Sequence, residues 1–325
     1  MKLKKLIVTL ILIPMILSGC AQGAADTSDT EKFVIGISQL ADHPALDDSK
    51  QGFIDELKNQ AINVEFLDQN AQGDTNNALM IAQKFVRDDV DLIFAIATAT
   101  AQAAKQAING TDIPLVFTAV AEPVFSQLVT DFNVTDNNIT GTSNAAPIKE
   151  NLELFKELKE DIKTIGIIYN IGESNSEIQV NKSKEIAEGI GLQIEALGIA
   201  SVNDIPQAID TISKKAEGLY IVTDNMVASS ISLVATLSQE KDLLTVAADA
   251  SQVKEGILLS RGISYYELGR ESAIMAKQIL VDKKDISEIP VRTLDNLDKK
   301  VNVKAMEALG LTKDNKAFEG AEFID

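Results

Sequence analysis

Short, continuous apolar runs alternate with amphipathic stretches along most of the chain. The runs fall at 32–38, 63–68, 91–97, 114–120, 163–169, 192–198, 218–224 and 243–249. Because successive residues are apolar, rather than every second one, the runs predict strands buried on both faces of a parallel sheet. Between them, the apolar residues recur at helical spacing, which predicts helices over 47–60, 76–88, 176–191 and 205–216.

The two halves of the chain repeat one pattern. Aligning Gly36 with Gly166 brings the later runs into step, at an offset of about 130 residues. Alternating strands and helices form right-handed βαβ units and doubly wound sheets. Because the pattern restarts at Lys163, it favours two lobes over one large sheet. The predicted fold is therefore α/β, with two doubly wound parallel-sheet lobes joined by hinge strands and a ligand cleft between them.

Further elements follow the second repeat. A strand and a long helix are predicted within 256–284, and the tail adds another strand and helix. The chain is therefore expected to cross between the lobes several times, so that each lobe is discontinuous in sequence. The predicted N-terminal lobe comprises 32–140 and about 264–290, and the C-terminal lobe comprises 141–263 and about 291–325.

The N-terminus has the features of a secretory leader. Lysines precede an unbroken apolar run from Leu6 to Leu17, and small residues follow it. The run is short for a membrane span. Cys20, the only cysteine, stands after Leu-Ser-Gly, where a bacterial lipobox places its lipidated residue. We expect a signal peptide at 1–19, lipidation of Cys20 and a polar tether over 20–31. The protein would then be lipid-anchored on the outer face of the cytoplasmic membrane, or periplasmic in an organism with an outer membrane.

The charge balance restricts the partners. The formal net charge is −18, and removing the three lysines of the leader would bring it to −21. Such acidity argues against nucleic acid and against peripheral binding to anionic lipid. We expect contact with the membrane through the lipid anchor only, and a monomer.

Catalytic groups are scarce. The chain has a single histidine, His43, and its only thiol is that of Cys20. Nucleophile-elbow, phosphate-loop, dinucleotide-binding and zinc-protease motifs are absent from the sequence. The sequence therefore predicts a protein that is not an enzyme and uses no cofactor or metal, with His43 in a loop or at the rim of the cleft.

Polar residues follow many of the predicted strands. In open α/β sheets ligands gather at the carboxyl ends of the strands, so residues there would face a shared cleft. Each could instead serve only as a cap or turn residue. The polar residues at these strand ends are Ser38, Gln39, Thr98, Thr100, Thr118, Asn170, Asn175, Ser176, Asp224, Asn225 and Asp249.

The candidates lack a basic side chain, so a ligand anion would depend on N–H groups at helix starts. The stretch Asn170–Ser176 leads from a strand into such a helix start. A zwitterion satisfies both conditions, with its carboxylate at Asn175 and Ser176 and its ammonium at Asp224 or Asp249. The sequence thus favours an amino acid as the ligand.

Several segments, in register along the chain, carry a resemblance to a known family. They are ISQLADHPALDDSKQGF, TATAQAAKQ, PLVFTAVAEPV, NITGTSN, YNIGESNS, VTDNMVAS and GRESAIMAKQIL. They resemble ABC-transporter substrate-binding lipoproteins of the tryptophan or aromatic amino-acid-binding type. The resemblance implies a type I periplasmic-binding-protein fold, a permease with its ATPase as partners, and L-tryptophan, tyrosine or phenylalanine as ligand.

The resemblance implies that eight of these strand-end residues bind the ligand in the cleft: Gln39, Thr98, Thr118, Asn175, Ser176, Asp224, Asn225 and Asp249. The chain departs from the family pattern at one position. The family often has Gly-Ile-Asp-Tyr where this chain has Gly-Ile-Ser-Tyr, with Ser264 replacing a hinge carboxylate. The side-chain preference of the ligand is therefore open. The alternatives are a receptor for a nucleoside or sugar, a ligand sensor for a signalling partner, and, with least support, a surface hydrolase.

Overall fold

The computed structural model describes residues 31–133 and 138–325. The predicted leader, the lipidation site Cys20 and almost all of the tether lie outside the described residues. Within the described part of the chain, no helix is both long enough and apolar enough to cross a membrane.

The described residues form a series of strands and helices, and each helix or strand named below is numbered in chain order. The strands are β1 (Phe33–Gln39), β2 (Val64–Asn70), β3 (Leu92–Ile96), β4 (Leu115–Val120), β5 (Ile139–Ser143), β6 (Thr164–Asn170), β7 (Gln193–Ile199), β8 (Gly218–Ile221), β9 (Leu244–Asp249), β10 (Leu259–Ile263), β11 (Arg292–Thr293), β12 (Leu297–Asn302) and β13 (Glu322–Ile324). The α-helices are α1 (Pro44–Asn59), α2 (Thr75–Arg87), α3 (Thr98–Ala107), α4 (Ile148–Leu158), α5 (Ser174–Gly189), α6 (Ile205–Ile212), α7 (Asn225–Ala228), α8 (Ile231–Glu240), α9 (Tyr265–Leu280) and α10 (Val303–Ala308).

The first sheet has the strand order β11-β5-β4-β3-β1-β2, and its pairs are parallel. β3 shows why these strands are continuously apolar. Its residues Leu92, Phe94 and Ile96 pack with α1 and α9, whereas Ile93 and Ala95 pack with α2 and α3 on the other face. Both faces of the sheet are thus covered by helices.

The second sheet has the order β13-β12-β10-β9-β8-β6-β7 and is parallel except where β10 meets β12. One face packs on α4, α5 and α10, and the other on α6, α7 and α8. The two sheets form the two lobes and confirm the predicted α/β fold class. The eight predicted strands and four predicted helices are all present, with ends displaced by up to four residues.

The sheets also show where the chain crosses between the lobes. β5 and β11 belong to the first sheet, whereas β10 belongs to the second. The crossings therefore lie in 144–147, at Ser264 and in 294–296, where the sequence predicts changes of lobe near 141, 264 and 291. The boundaries predicted near 141 and 291 fall within or just before β5 and β11. Both strands are short, so few residues carry an apolar pattern that could assign them to a lobe.

Helices α1 and α9 pack backbone against backbone. A Cβ atom added to Gly269 would lie 1.9 Å from the backbone oxygen of Ser49, and one added to Gly52 would lie 2.0 Å from that of Tyr266. The Ser49 hydroxyl also donates to the backbone oxygen of Tyr265 at 3.1 Å. This contact fixes the starts of both helices, which lie beside the space between the lobes.

Gly269→Ala is therefore expected to force the two helices apart. We expect the free energy of unfolding in urea to fall by about 1–3 kcal/mol, the usual cost of overpacking. Gly189→Ala is the matched control, because a Cβ atom there meets nothing within 4 Å. The control should be neutral or slightly stabilising. Equal stability of the two variants would contradict the close packing of α1 on α9.

Candidate functional site

A narrow cavity lies between the lobes. The lining residues follow the carboxyl ends of strands or begin helices, as the doubly wound fold requires. They are His43, Ala45, Leu46, Ala119, Ala121, Asn144, Asn175, Thr223, Asp224, Asn225, Ala228, Asp249, Gln252 and Tyr265.

The start of α1 forms part of the wall from the first lobe. His43 is the residue before the helix, and its side chain makes no capping hydrogen bond. Pro44 has no N–H, and the Asp47 N–H donates to the backbone oxygen of His43 at 3.1 Å. The N–H groups of Ala45 and Leu46 have no acceptor within the described residues. Two backbone donors at the positive end of a 16-residue helix thus border the cavity.

The ends of β4 and β5 complete the wall from the first lobe. Ala119 has φ 55°, a left-handed conformation that is uncommon for a residue with a Cβ atom. Beyond β5, the Asn144 amide nitrogen donates to the Tyr265 hydroxyl oxygen at 2.5 Å. The Asn144 side-chain oxygen is buried and has no partner within the described residues. Tyr265 is the aromatic residue of the lining.

Asp224 lies in the wall of the second lobe and is 2% exposed. Its carboxylate accepts from the N–H of Val227 at 2.9 Å and from that of Asn170 at 2.6 Å. Burial, and then the nearby Glu173 carboxylate, raise the pKa of Asp224 well above its usual range. Both causes disfavour the ionised form unless a cation enters.

Asp249 is the second carboxylate of the cavity. It accepts from the Ser251 N–H at 2.9 Å and from the Ser251 hydroxyl at 2.8 Å. Burial raises its pKa to about 6. Lysine and arginine are absent from the lining residues. The cavity wall therefore contains two buried carboxylates and no basic side chain. Lys300, outside the lining, lowers the pKa of Asp249 but does not offset the effect of burial.

Glu173 organises the wall of the second lobe. Its carboxylate accepts from the N–H groups of Asn225 and Met226 at 3.0 and 3.1 Å, and also from the Asn225 side-chain amide. The Asn175 amide donates to Glu173 at 3.3 Å and to the Thr223 backbone oxygen at 2.8 Å. These bonds tie the start of α5 to the start of α7. The N–H groups that begin α7 are thus occupied by a carboxylate of the protein itself.

The structure brings four of the eight predicted ligand-binding residues to the cavity wall: Asn175, Asp224, Asn225 and Asp249. Ser176 lies directly behind the wall. Its hydroxyl bonds Asp224 and its N–H donates to the backbone oxygen of Glu173 at 3.2 Å. Of the predicted pair of carboxylate-binding N–H groups, that of Asn175 lacks an acceptor in the described residues.

The other three predicted residues also lie outside the lining. The Gln39 amide donates to the Ala41 backbone oxygen at 2.8 Å and to Asp47 at 2.7 Å, which supports the start of α1. The Thr118 hydroxyl lies 2.8 Å from that of Thr142, inside the first lobe. Thr98 is buried at the first position of α3. A ligand role for these residues stays a prediction.

The sequence did not indicate several other lining residues. His43 lies in the loop before α1, as expected, but it is only 7% exposed and lines the cavity itself. The His43-Pro44 pair just beyond β1 is the feature of the sequence that could have indicated a position at the cleft. Asn144 follows β5, a strand with a weak apolar pattern. Gln252 and Tyr265 lie after the second repeat, so the alignment of the two halves does not relate them to any strand end of the first.

Comparison with known proteins identifies close relatives. A protein of Clostridioides difficile named tyrosine-binding protein is 36% identical over 324 residues, covering 96% of this chain and 93% of its own. A Streptococcus pneumoniae ABC domain in complex with L-Trp has a TM-score of 0.84 at 28% identity, over 90% of this chain and 100% of its own. A ligand-free, open substrate-binding protein with adhesive properties from Clostridium difficile has a TM-score of 0.69 at 38% identity, over 90% and 99%.

The family model described as ABC transporter substrate binding protein matches residues 34–322. The match includes every residue that lines the cavity and both sheets apart from the first residue of β1 and the last two of β13. Proteins of this family bind the substrate of an ABC transporter outside the cytoplasm and are not enzymes, which confirms those two predictions. The fold, the cavity between its lobes and this match show that the chain belongs to the family of ABC transporter substrate-binding proteins.

Proposed function

We propose that this protein is the solute receptor of an ABC importer and that it binds an L-amino acid with an aromatic side chain in the cavity between its lobes. The observation that carries the proposal is the pair of buried carboxylates, Asp224 and Asp249, in a wall without a basic side chain. A buried charge is stable only when a partner compensates it. The ligand's ammonium group supplies that compensation.

Backbone N–H groups supply the partial positive charge that a ligand carboxylate needs. The unpaired N–H groups of Ala45 and Leu46 at the start of α1, and that of Asn175 at the start of α5, border the cavity. N–H groups at helix starts favour a carboxylate. The ligand carboxylate is placed at these N–H groups, and its ammonium at the aspartates. The two ends of a zwitterion then meet opposite partial charges.

The relatives support the aromatic side chain. One is named for tyrosine binding, and another was solved with L-Trp. The wall of this cavity contains the small residues Ala45, Ala119, Ala121 and Ala228, whose methyl groups take up little of the room between the lobes. A sugar site would be expected to stack rings on the ligand, whereas the described lining has Tyr265 as its one aromatic residue and no arginine.

The similarity scores support closure of the lobes around the ligand. The chain is more similar in structure to the complex with L-Trp, at a TM-score of 0.84, than to the open, ligand-free protein, at 0.69. The order of sequence identity is the reverse, 28% against 38%. We infer that the lobes of this chain are closed on each other, because an angle between lobes nearer to that of the complex would produce this reversal. The closed arrangement carries bonds between the lobes, including that of Lys182 to Glu122.

The proposal extends to attachment and assembly. The leader at 1–19 and the lipobox at Cys20 support a lipoprotein tethered at the membrane. The bound amino acid would then be presented to the permease from the end of the tether. We propose a monomer, since the ligand site is built from the lobes of a single chain.

Asp224→Asn is expected to weaken binding of L-tyrosine and L-tryptophan by about tenfold to a hundredfold. The change removes a charge-assisted hydrogen bond to the ammonium, worth about 1.5–3 kcal/mol. Isothermal titration calorimetry measures the change, with a urea titration to check stability. Asp210→Asn is the matched control in the same lobe, because Asp210 is exposed and bonds Lys214 and Lys241. Unchanged affinity in Asp224→Asn would contradict the assigned position of the ammonium.

The affinity should also depend on pH. Burial raises the pKa of Asp249 to about 6 in the ligand-free cavity, and a bound ammonium lowers it. Ligand binding below about pH 6 therefore requires release of a proton, so the affinity should be constant near pH 8 and fall at least about tenfold by pH 5, since the raised pKa of Asp224 acts in the same direction. Calorimetry in buffers of different ionisation enthalpy detects the released protons. Asp249→Asn should make the profile less steep and leave the part due to Asp224, and a wild-type profile without pH dependence would exclude this role for Asp249.

The lipid anchor can be tested separately from binding. Cys20→Ala should release the protein from the membrane fraction while leaving its affinity for the amino acid unchanged, because the tether separates the lipid from the lobes. Fractionation and calorimetry on the same variant measure both properties. Retention of the variant on the membrane would contradict the anchor at Cys20.

A further inference from the structure

The hydrogen-bonding state of His43 follows from its neighbours in both lobes. Its Nε2 atom lies 3.2 Å from the side-chain oxygen of Asn225. The orientation of that amide is set by Glu173, whose carboxylate accepts from the Asn225 side-chain nitrogen. An ionised carboxylate accepts hydrogen bonds and cannot donate them. The Asn225 amide therefore presents its nitrogen to Glu173 and its oxygen to His43.

An amide oxygen also only accepts, so the His43 Nε2 atom must carry the proton of this bond. Burial lowers the pKa of His43, although Asn225 and the carboxylates of Asp47, Glu173 and Asp42 act in the opposite direction. The ring is therefore neutral near pH 7. With its proton on Nε2, the neutral ring has a bare Nδ1 atom that acts as a hydrogen-bond acceptor.

This acceptor is left for the ligand. His43 is 7% exposed and lines the cavity, and its Nδ1 atom is buried without a partner within the described residues. A buried acceptor without a donor costs free energy, whereas a donor on the ligand would satisfy it. His43 is thus a candidate for distinguishing ligands that carry a hydrogen-bond donor from ligands that do not.

The shared groups of an amino acid do not meet this need. The carboxylate has no donor, and the three N–H bonds of the ammonium are directed to Asp224 and Asp249 under the proposed function. The cavity wall has two more buried acceptors without partners, the side-chain oxygens of Asn144 and Gln252. The wall therefore offers more acceptors than an ammonium group can satisfy.

We infer that His43 Nδ1 accepts a hydrogen bond from a donor on the ligand's side chain, and that this bond makes the receptor prefer tyrosine and tryptophan over phenylalanine. The inference rests on the proposed amino-acid function and assigns its side-chain specificity. The phenol and the indole each carry one donor, and the benzyl group of phenylalanine carries none. Because Asn225 and His43 come from different lobes, the acceptor is fixed in this form only when the lobes meet.

Calorimetry on the full chain with L-tyrosine, L-tryptophan and L-phenylalanine is the first test. We expect phenylalanine to bind at least about tenfold more weakly than the better of the other two ligands, because a site built to bond a donor rejects an analogue that lacks it. Equal affinity for all three would overturn the inference and leave the proposed function standing. Failure of all three to bind would overturn both.

Two substitutions of His43 distinguish the effect of its Nδ1 acceptor from the effect of its Nε2 bond to Asn225 in the other lobe. His43→Gln keeps an amide donor that can reach Asn225, and with that donor in place its own acceptor, the amide oxygen, does not occupy the Nδ1 position. His43→Phe has neither donor nor acceptor. We expect the preference to fall to about threefold or less in both variants, since neither has an acceptor at the Nδ1 position. The affinity for phenylalanine should be retained in His43→Gln, which also shows that the site is folded, and reduced in His43→Phe.

Other outcomes would overturn the assignment. If His43→Gln weakens all three ligands by one common factor, Nδ1 contacts a group that they share, such as the ammonium. If His43→Gln keeps the wild-type preference, another residue reads the side chain. A selective loss for tyrosine or tryptophan, with phenylalanine unaffected, is the result that supports His43.

Discussion

Burial of two carboxylates whose charge the protein compensates only in part is the constraint on which the rest of this structure depends. Closing the two lobes removes Asp224 and Asp249 from water, and the cavity wall offers them backbone and hydroxyl donors but no cation. Burial raises the pKa values of both groups because it makes their ionised forms less stable. A ligand that brings an ammonium group removes the cost, so the closed form and the occupied form stabilise each other.

The first lobe supports the complementary end of the site through one helix. α1 is fixed by its glycine-mediated contact with α9, and its start is supported from behind by Gln39 through Asp47. The free N–H groups of Ala45 and Leu46 are therefore held in place before a ligand arrives. Donors that are already oriented lose little entropy on binding. The glycine contact thus connects the packing of the lobe to the affinity of the site.

The second lobe uses a carboxylate of its own to organise the wall. Glu173 occupies the start of α7 and orients Asn225, which in turn fixes the proton on the His43 ring across the cleft. A residue that does not itself line the cavity thus controls the hydrogen-bonding character of one that does. Such a connection also couples the recognition of the side chain to the meeting of the lobes, because either lobe alone leaves the tautomer of His43 undetermined.

The sequence by itself determined the fold class, the repeat, and the strands with long apolar runs, because a strand buried on both faces must be apolar at successive positions. It also located Asp224 and Asp249, since the ends of parallel strands meet at one edge of the sheet. It did not locate the short strands β5 and β11, whose few residues carry little pattern, and so it missed Asn144 beside β5.

Only the tertiary structure decided which polar strand ends reach the cavity. Thr118 and Gln39 occupy strand ends like those of the cavity residues, yet their side chains bond within the first lobe. The role of His43 was equally invisible in the sequence, where it was a lone ring without a partner. Its partner is 182 residues away in the other lobe. The physical reason is that a hydrogen bond depends on the distance and direction between two groups, and for distant residues the packing of helices and sheets sets both.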